Sequence, residues 1–348
     1  MKTLPKFKAA AVQASSCFLD TQATTNKACK IIQEVAENGA SLVVFPEVFI
    51  SAYPYWSWIT DPITASPWFE KLARSAIDIP GPEIAQIAHA AEKNKINVVI
   101  GVNERSPHSI GSIFNTLVTI NDQGKVIGRH RKLVPTWAEK LTWAPGDASS
   151  LKVHDTSIGP LGSLACGENT NTLARFSLIS QGELVHTASY IALPVAPEDY
   201  DMSEAIKVRS AAHSFEGKLF TIVSCSTISQ EIIELMSDIN PKAKELLSRK
   251  NSAFSGVLGP DGRVVGDALI DEEGIVFTEI DLNLCIQPRQ MHDIAGHYNR
   301  FDIFNLEVNR QHMGPITFVD NSDNGNNISD LNSINLAIEN ENNKKEAI

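Results

Sequence analysis

The chain has 348 residues, of which 43% are hydrophobic and 20% are charged, and its formal net charge at pH 7 is −11. A chain of this length and composition can bury a large apolar core without disulfide bonds. The negative charge disfavours nucleic acid as a partner, because phosphate binding needs clustered Lys and Arg side chains. No window of the sequence approaches the roughly 18 apolar residues that a membrane-spanning helix requires.

The cysteine pattern points to free thiols in a reducing compartment. The five cysteines form no CxxC pair, so we expect neither a zinc site nor a redox motif. The first residues lack the charged head and apolar segment of a signal peptide, so we expect a cytoplasmic protein. The cysteines are Cys17, Cys29, Cys166, Cys225 and Cys285.

The first half of the chain alternates helices with buried strands. Apolar residues recur at helical spacing over residues 20–39, and "SLVVFPE" then predicts a strand that Pro46 ends. Pro82 opens a second helix, and "INVVIGVNE" predicts the next strand. The stretch "TLVTINDQGKVIGRHRK" predicts a hairpin, because a glycine-containing turn separates two β-branched segments.

The second half continues in the same order. After Cys166 we predict a helix that runs to Gln181, then a strand at "LVHTASYIALP", a helix over residues 203–217 and a strand at "LFTIVSCS". Along residues 203–217 the apolar face holds Ala205, Val208, Ala212 and Phe215. Residues 228–250 read as a helical surface insertion, and "SAFSGVLGPDGRVVGDAL" predicts a second hairpin. The order indicates an α/β fold with mostly buried sheets, in one domain over residues 1–319 with a polar tail over residues 320–348.

Cys166 is the first candidate for chemistry. A free cysteine is more often a small core residue than a nucleophile. Here, however, the thiol falls between a predicted strand and a predicted helix, where the positive end of the helix dipole would lower its pKa. Gly167 would let a substrate approach the backbone, and its amide could donate to an oxyanion.

Glu47 and the aromatic stretch that follows it form the second candidate. Glu47 ends a buried strand, where it could be a simple cap or a base. Tyr53, Tyr55, Trp56 and Trp58 follow in "VFISAYPYWSW", and they could plug the core or form the wall of a pocket for a small organic substrate.

The third candidate is "GRHRKLVPTWAEKLTWAPGD". Arg129 and Arg131 in its basic start could bind an acidic substrate, although an exposed basic face is the commoner outcome. Lys132 and Glu139 flank a turn, close enough in sequence to pair, with Trp137 nearby. A thiol, a lysine and two glutamates form a consistent site without metal, because burial raises a carboxyl pKa and an ammonium opposes that rise.

Together these segments resemble the nitrilase superfamily of carbon–nitrogen hydrolases. "VVFPEVF", "HRKLVPTWAEKLTW" and "LACGENTN" are similar to its glutamate, lysine and cysteine motifs, in the same order. "GHYNRFDIF" resembles a late segment of the nitrilase branch. The resemblance implies a four-layer α-β-β-α sandwich, no cofactor, and assembly into homodimers or longer homo-oligomeric spirals.

The resemblance also implies the residue roles and the reaction. Cys166 would be the nucleophile, Glu47 the general base, Lys132 the group that stabilises negative charge, and Glu139 the residue that positions the lysine. The expected reaction converts a small nitrile to a carboxylic acid and ammonia through a thioimidate and a thioester. Nitrilases usually carry Trp directly after the cysteine, and Gly167 departs from that pattern.

We therefore predict a nitrilase, with Tyr53, Trp137 and Gly167 as substrate-binding residues. An amidase or carbamoyl hydrolase and a nitrile or cyanide hydratase remain alternatives on the same scaffold. A catalytically inactive binding or scaffold subunit is the alternative from a different class. A protease-like pair of Cys166 with His186 or His213 is a further, less favoured arrangement.

Overall fold

Two six-stranded sheets form the centre of the computed structural model, which describes residues 3–195, 200–314 and 316. The first sheet contains β1 (Lys6–Gln13), β2 (Leu42–Val44), β3 (Asn97–Arg105), β4 (Ile113–Ile120), β5 (Val126–Arg131) and β12 (Gly274–Asp281), in the order β12-β1-β2-β3-β4-β5. The second contains β6 (His154–Thr156), β7 (Gly159–Ala165), β8 (Val185–Tyr190), β9 (Phe220–Cys225), β10 (Phe254–Leu258) and β11 (Val264–Ile270), in the order β11-β10-β9-β8-β7-β6.

Helices cover the outer face of each sheet. The α-helices are α1 (Thr21–Glu37), α2 (Trp56–Ile59), α3 (Pro62–Ser75), α4 (Pro82–Asn94), α5 (Thr172–Ile179), α6 (Met202–Gly217), α7 (Gln230–Ile239), α8 (Ala243–Leu247) and α9 (Ile286–Arg289). Along β1, Ala10 and Val12 pack with α1 and α4, whereas Ala9 and Ala11 face the other sheet. This alternation produces four layers, so the predicted α-β-β-α sandwich is confirmed.

The parallel strands place their carboxyl ends at one edge of the sandwich. β1, β2 and β3 run parallel in the first sheet, and β7, β8 and β9 run parallel in the second. The segment after β2 also crosses to the second sheet: the backbone N–H of Glu47 donates to the carbonyl of Tyr190 at 3.2 Å, and the Ser189 hydroxyl donates to the carbonyl of Phe45 at 2.9 Å. The residues that follow β2 and β7 therefore meet.

Where we predicted a single helix after Cys166, the structure has two separate elements. Cys166–Thr170 is a single 3-10 turn, and α5 begins only at Thr172. Asn171 explains the break, because its side chain accepts hydrogen bonds from the backbone N–H groups of Leu173 and Ala174 and so caps a new helix. The thiol consequently does not lie at the N-terminus of α5.

The predicted face of α6 was also wrong. The helix buries Ser210, His213 and Ser214 against the second sheet, while Val208 and Phe215 are exposed. The other predicted helices and strands, including both hairpins, are confirmed. The insertion is helical as predicted, but α7 and α8 pack into the same apolar cluster as Trp56 rather than lying loosely on the surface.

Among the described residues, no helix has both the length and the apolar character that crossing a bilayer requires. The tail that we expected over residues 320–348 lies outside the described residues.

Candidate active site

Lys132 occupies the centre of the site, directly after β5. Its backbone is held by β4 and by a loop. The N–H of Lys132 donates to the carbonyl of Asn115, and the carbonyl of Lys132 accepts from the N–H of Gly146, both at 2.8 Å. Its ammonium lies 2.8 Å from Oε1 of Glu47 and 2.7 Å from Oε2 of Glu139, and all three side chains are buried. We call Glu47, Lys132 and Glu139 the lysine cluster.

Glu47 follows β2 and Pro46, as the sequence predicted. The side-chain amide of Asn115 donates to Oε1 of Glu47 at 2.6 Å, whereas Oε2 is buried and has no hydrogen-bond partner among the described residues. Burial raises the pKa of Glu47 to about 7; the Lys132 ammonium opposes the rise and the Glu139 carboxylate adds to it. A carboxyl group with this pKa can accept a proton near neutral pH.

Glu139 is fixed on both of its oxygens. It lies in the 3-10 helix Trp137–Leu141, where Oε2 also accepts from the backbone N–H of Thr136 at 2.6 Å. Oε1 accepts from the hydroxyl of Tyr53 at 2.9 Å, and the indole N–H of Trp58 donates to that same hydroxyl oxygen at 2.8 Å. Because both carboxylate oxygens of Glu139 are hydrogen-bonded, Glu139 can hold the Lys132 ammonium in one place.

Cys166 follows β7 in a left-handed backbone conformation, with φ of 49°, and its side chain is buried. Burial raises the pKa of its thiol well above the ordinary value; Glu47 raises the pKa further and Lys132 opposes this. The expected lowering by a helix dipole is therefore wrong. Glu139 also acts on this thiol, so the sulfur lies within electrostatic reach of the whole lysine cluster and is neutral at rest.

Two neighbouring residues that we did not predict hold this arrangement. Asn115 donates to Glu47, and Glu168 joins the lysine and cysteine segments, because its carboxylate accepts from the N–H groups of Leu133 at 2.6 Å and Ala165 at 2.8 Å. The imidazole of His130 lies 3.0 Å from the same carboxylate. Glu168 makes one half of a capping box, since it accepts from the N–H of Ala165, but an alanine cannot make the other half, so the sequence carried no such signature.

The predicted substrate-binding residues border the site in different ways. Tyr53 is buried against Glu139, while the side chain of Trp137 is 78% exposed, with its ring centroid 5.6 Å from that of Trp58. A Cβ atom on Gly167 would lie 2.9 Å from the hydroxyl oxygen of Thr136, so this glycine faces the lysine segment. The aromatic stretch is thus divided, since Tyr55 and Trp56 belong to the core.

Arg129 and Arg131 do not form an exposed basic face. Both are largely buried and pair with the buried carboxylate of Glu104. They are therefore structural partners of an acid on β3, reached across the intervening strand β4.

His186 and His213 do not pair with the thiol. Nδ1 of His186 lies 2.7 Å from Oε1 of Glu183, and Nε2 of His213 lies 2.8 Å from Oε2 of the same carboxylate. Among the described residues, this fully buried set, which we call the histidine cluster, is the one group whose ligand atoms are close enough to consider for a metal. These pairs are at hydrogen-bond distance, whereas two ligands of one tetrahedral ion lie about 3.3 Å apart.

Comparison with known proteins places the chain in a class of enzymes. The family model "Carbon-nitrogen hydrolase" matches residues 8–290, so the chain belongs to the carbon–nitrogen hydrolase family. Among relatives, the chain is 33% identical to "Aliphatic nitrilase" of Rhodococcus rhodochrous, with 89% of this chain and 84% of the relative covered. It is 31% identical to "Nitrilase" of Bacillus sp. (strain OxB-1), with 92% and 94% covered.

Solved structures agree on the fold. The C. elegans NitFhit protein superposes with a TM-score of 0.67 at 19% identity, over 90% of this chain and 70% of that one. Saccharomyces cerevisiae Nit3, a member of branch 10 of the nitrilase superfamily, superposes with a TM-score of 0.64 at 22% identity, over 84% of this chain and 96% of that one. The superfamily resemblance read from the three motifs is confirmed.

Proposed function

We propose that the protein is a nitrilase that hydrolyses a small organic nitrile to the carboxylic acid and ammonia, with Cys166 as the nucleophile. One observation carries the proposal: the buried ammonium of Lys132 is fixed between two carboxylates within reach of Cys166, and one of these carboxylates keeps an unpaired oxygen. Relatives named nitrilase, at 31–33% identity over most of each chain, support the nitrile as substrate.

The first step joins the sulfur to the nitrile carbon. The thiol of Cys166 is neutral at rest, so Glu47 takes its proton on the unpaired Oε2 as the sulfur attacks. The carbon–nitrogen triple bond becomes a double bond, and Glu47 passes the proton that it took from the thiol to the nitrogen, which gives a thioimidate and leaves Glu47 ionised. Lys132 stabilises the negative charge that develops on this nitrogen.

The second part releases the two products. Glu47 takes a proton from a water molecule, which adds to the thioimidate carbon to give a tetrahedral intermediate. Glu47 returns this proton to the nitrogen, and the hydroxyl proton of the intermediate follows as the carbon–nitrogen bond breaks, so that ammonia leaves, a thioester remains and Glu47 is ionised again. A second water, activated in the same way, cleaves the carbon–sulfur bond, so that the carboxylic acid leaves and Cys166 recovers its proton.

The other residues of the site have supporting roles in this proposal. Glu139 positions the Lys132 ammonium, and the hydroxyl of Tyr53 helps to fix Glu139 while its ring borders the substrate. Trp137 and Gly167 border the opening through which the substrate enters. The exposure of Trp137 and the closeness of Gly167 to Thr136 support this assignment.

We further propose a cytoplasmic homodimer or larger homo-oligomer formed by residues 1–319. The exposed apolar side chains of Leu173, Val208 and Phe215 on the outer helices support assembly. The five free cysteines support a reducing compartment.

The test uses matched substrates. Purified protein is given aliphatic, aromatic and arylacetic nitriles and, in parallel, the corresponding amides, and ammonia, acid and amide products are quantified. The proposal expects acid and ammonia from at least one nitrile, and none from Cys166→Ala under the same conditions.

Three outcomes would overturn the proposal. Turnover of amides without turnover of nitriles would show an amidase. Amide as the sole product from nitriles would show a hydratase. Failure of small electrophiles to label Cys166, together with no turnover of any substrate, would show a catalytically inactive subunit.

A further inference from the structure

The histidine cluster is linked to the nucleophile by a chain of hydrogen bonds. His186 lies on β8 and pairs in register with Gly162 of β7, the strand that leads to Cys166. Its Nε2 lies 2.8 Å from Oδ1 of Asn169. The amide nitrogen of Asn169 donates to the carbonyl of Cys166 at 3.1 Å and contacts the carbonyl of Leu164 at 3.3 Å.

The orientation of Asn169 determines where His186 carries its protons. Two carbonyl oxygens face the amide nitrogen of Asn169, so its Oδ1 must face His186. An amide oxygen only accepts, and Nε2 of His186 must therefore carry a proton. Its Nδ1 faces a carboxylate oxygen of Glu183, which also only accepts when ionised. Both ring nitrogens of His186 are then donors, and the ring is an imidazolium.

The rest of the cluster agrees with this assignment. Two imidazole neighbours and their hydrogen bonds outweigh burial and lower the pKa of Glu183 to about 2, so it is ionised. Burial lowers the pKa of His213 to about 4, so that ring is neutral and carries its proton on Nε2, facing Glu183. Its Nδ1 has no partner among the described residues, as a neutral acceptor nitrogen can tolerate. Arg175, which also acts on His213, is paired with Glu216.

A glycine on β7 leaves room for the carboxylate of the histidine cluster. A Cβ atom on Gly162 would lie only 2.0 Å from Oε1 of Glu183, so any larger residue there would displace the carboxylate. Because Gly162 has no side chain, Glu183 and His186 fit against β7, the strand that leads to the 3-10 turn of Cys166.

We propose that His186 is a positioning residue for the nucleophile. As a buried imidazolium it donates one hydrogen bond to Glu183 and the other to Asn169. The side chain of Asn169 then fixes the carbonyl of Cys166 within the 3-10 turn Cys166–Thr170. This inference rests on the proposed function, because Cys166 must be the nucleophile for its turn to matter. The turn needs such support, since Cys166 adopts a positive φ that a side-chain-bearing residue disfavours.

Two substitutions separate the two hydrogen bonds of His186. In His186→Asn the amide nitrogen takes the place of Nδ1, so the donor to Glu183 remains and the donor to Asn169 is lost. In His186→Gln the amide nitrogen takes the place of Nε2, so the donor to Asn169 remains and Glu183 loses its charged partner. If His186 positions the turn, the Asn variant loses more activity and the Gln variant loses more stability.

The expected sizes follow from the geometry. We expect kcat to fall about hundredfold in His186→Asn and less than about tenfold in His186→Gln, with KM within about threefold in both, because the change misplaces the sulfur without touching the substrate. The urea midpoint should fall further in His186→Gln, because Glu183 loses the charge of His186 in both variants but keeps a hydrogen-bond donor only in His186→Asn. Equal losses of kcat that track the loss of stability would overturn the proposal.

A second measurement does not depend on turnover. Iodoacetamide labelling, read by mass spectrometry of the peptides, should slow at Cys166 in His186→Asn more than in His186→Gln, while Cys17, which is partly exposed, serves as the internal control. If the protein turns over no nitrile, the proposed function fails and this order of labelling rates still tests the role of His186.

Nitrogen NMR of protein with ¹⁵N-labelled histidine tests the charge directly. One histidine, absent from the spectrum of His186→Gln, should have both ring nitrogens protonated, whereas a neutral imidazole carries a proton on only one of them. A neutral ring at that position would overturn the imidazolium assignment and the proposal with it.

Discussion

The lysine cluster and the histidine cluster place carboxylates in equally buried surroundings with opposite results. Burial raises the pKa of Glu47 to about 7, whereas the two imidazoles beside Glu183 lower its pKa to about 2. In the lysine cluster two acids share one ammonium. In the histidine cluster one acid lies between two imidazoles, and both of its oxygens are hydrogen-bonded.

The comparison shows that partners, rather than burial, decide what a buried acid can do. Glu47 keeps one oxygen without a partner and a proton affinity near neutrality, so it can exchange protons with a thiol or a water. Both oxygens of Glu183 are hydrogen-bonded and the carboxylate remains ionised, so Glu183 can position the two imidazoles but cannot exchange protons near neutral pH. The predictions below disturb each cluster separately.

The largest effect should come from removing the thiol that the lysine cluster serves. Cys166→Ala should abolish turnover of every nitrile, because no other described cysteine lies within reach of Glu47 and Lys132 together. The unfolding midpoint should stay close to that of the parent protein, because the replacement is small and apolar. Measurable turnover in the purified variant would refute the role of Cys166 as nucleophile.

Removing the shared cation should cost nearly as much. Lys132→Met should lower kcat by about 10²–10³-fold, because the charge that develops on the nitrile nitrogen loses its stabilising donor. Lys140→Met is a matched control, since Lys140 is exposed in the same segment and should leave kcat unchanged. A loss of less than about tenfold in Lys132→Met would contradict the assignment.

Within the histidine cluster, His213 should affect stability rather than chemistry, because it contacts Glu183 and not the segment of Cys166. The pKa of His213 is about 4 in the folded chain and 6.5 as its ordinary value, so the unfolded chain binds its proton more readily. Stability should therefore be full above about pH 6.5 and fall by about 3 kcal/mol as the pH drops to about 4. His213→Gln keeps a donor for Glu183 and removes this titration, so urea midpoints should change less over that range. Equal pH dependence in both proteins would refute this reading of His213.

The pH dependence of turnover should follow the ionisation of Glu47 in the lysine cluster. Glu47 must be ionised to accept the thiol proton, and its pKa is about 7, so kcat/KM should fall as the pH is lowered through about 7. At about pH 5 the loss should approach hundredfold. Rates measured with a small aliphatic nitrile, beside urea midpoints at each pH, separate this loss from unfolding. A profile that stays flat down to about pH 5 would contradict a base with this pKa.

Much of the fold was predictable, because apolar periodicity and turn residues agree along most of the chain. Asp20 and Gly39 bracket α1 as expected, since the Asp20 side chain caps its start and Gly39 adopts a positive φ beyond its end. The face of α6 was not predictable in this way. Its buried side is polar because His213 and Ser214 are satisfied by partners on other elements, which a pattern within one helix does not reveal.

The site was predictable to the extent that its residues fall in short motifs. Glu47, Lys132 and Cys166 were found because each directly follows a strand segment next to recognisable neighbours, and Glu139 was found because it follows the turn after Lys132 between two tryptophans. Their supports were missed, since Asn115 lies mid-strand and reaches Glu47 across the sheet. The state of the thiol was also mispredicted, because the Asn171 cap that moves the helix away from Cys166 depends on local geometry.

The smallest effect should come from Gly167, which we proposed as a border of the substrate entrance to the lysine cluster. A Cβ atom at this position would face the hydroxyl of Thr136, in the segment that holds Lys132 and Glu139. Gly167→Trp should raise KM for aromatic nitriles about tenfold and leave small aliphatic nitriles within about threefold, because a bulky ring fills space without removing a catalytic group. Gly167→Ala is the matched control: its Cβ meets the Thr136 hydroxyl at the same 2.9 Å but adds no bulk to the opening. Equal effects of both substitutions would assign the change to Thr136 and the Glu139 that it holds, and an unchanged substrate profile in Gly167→Trp would mean that this position does not limit entry.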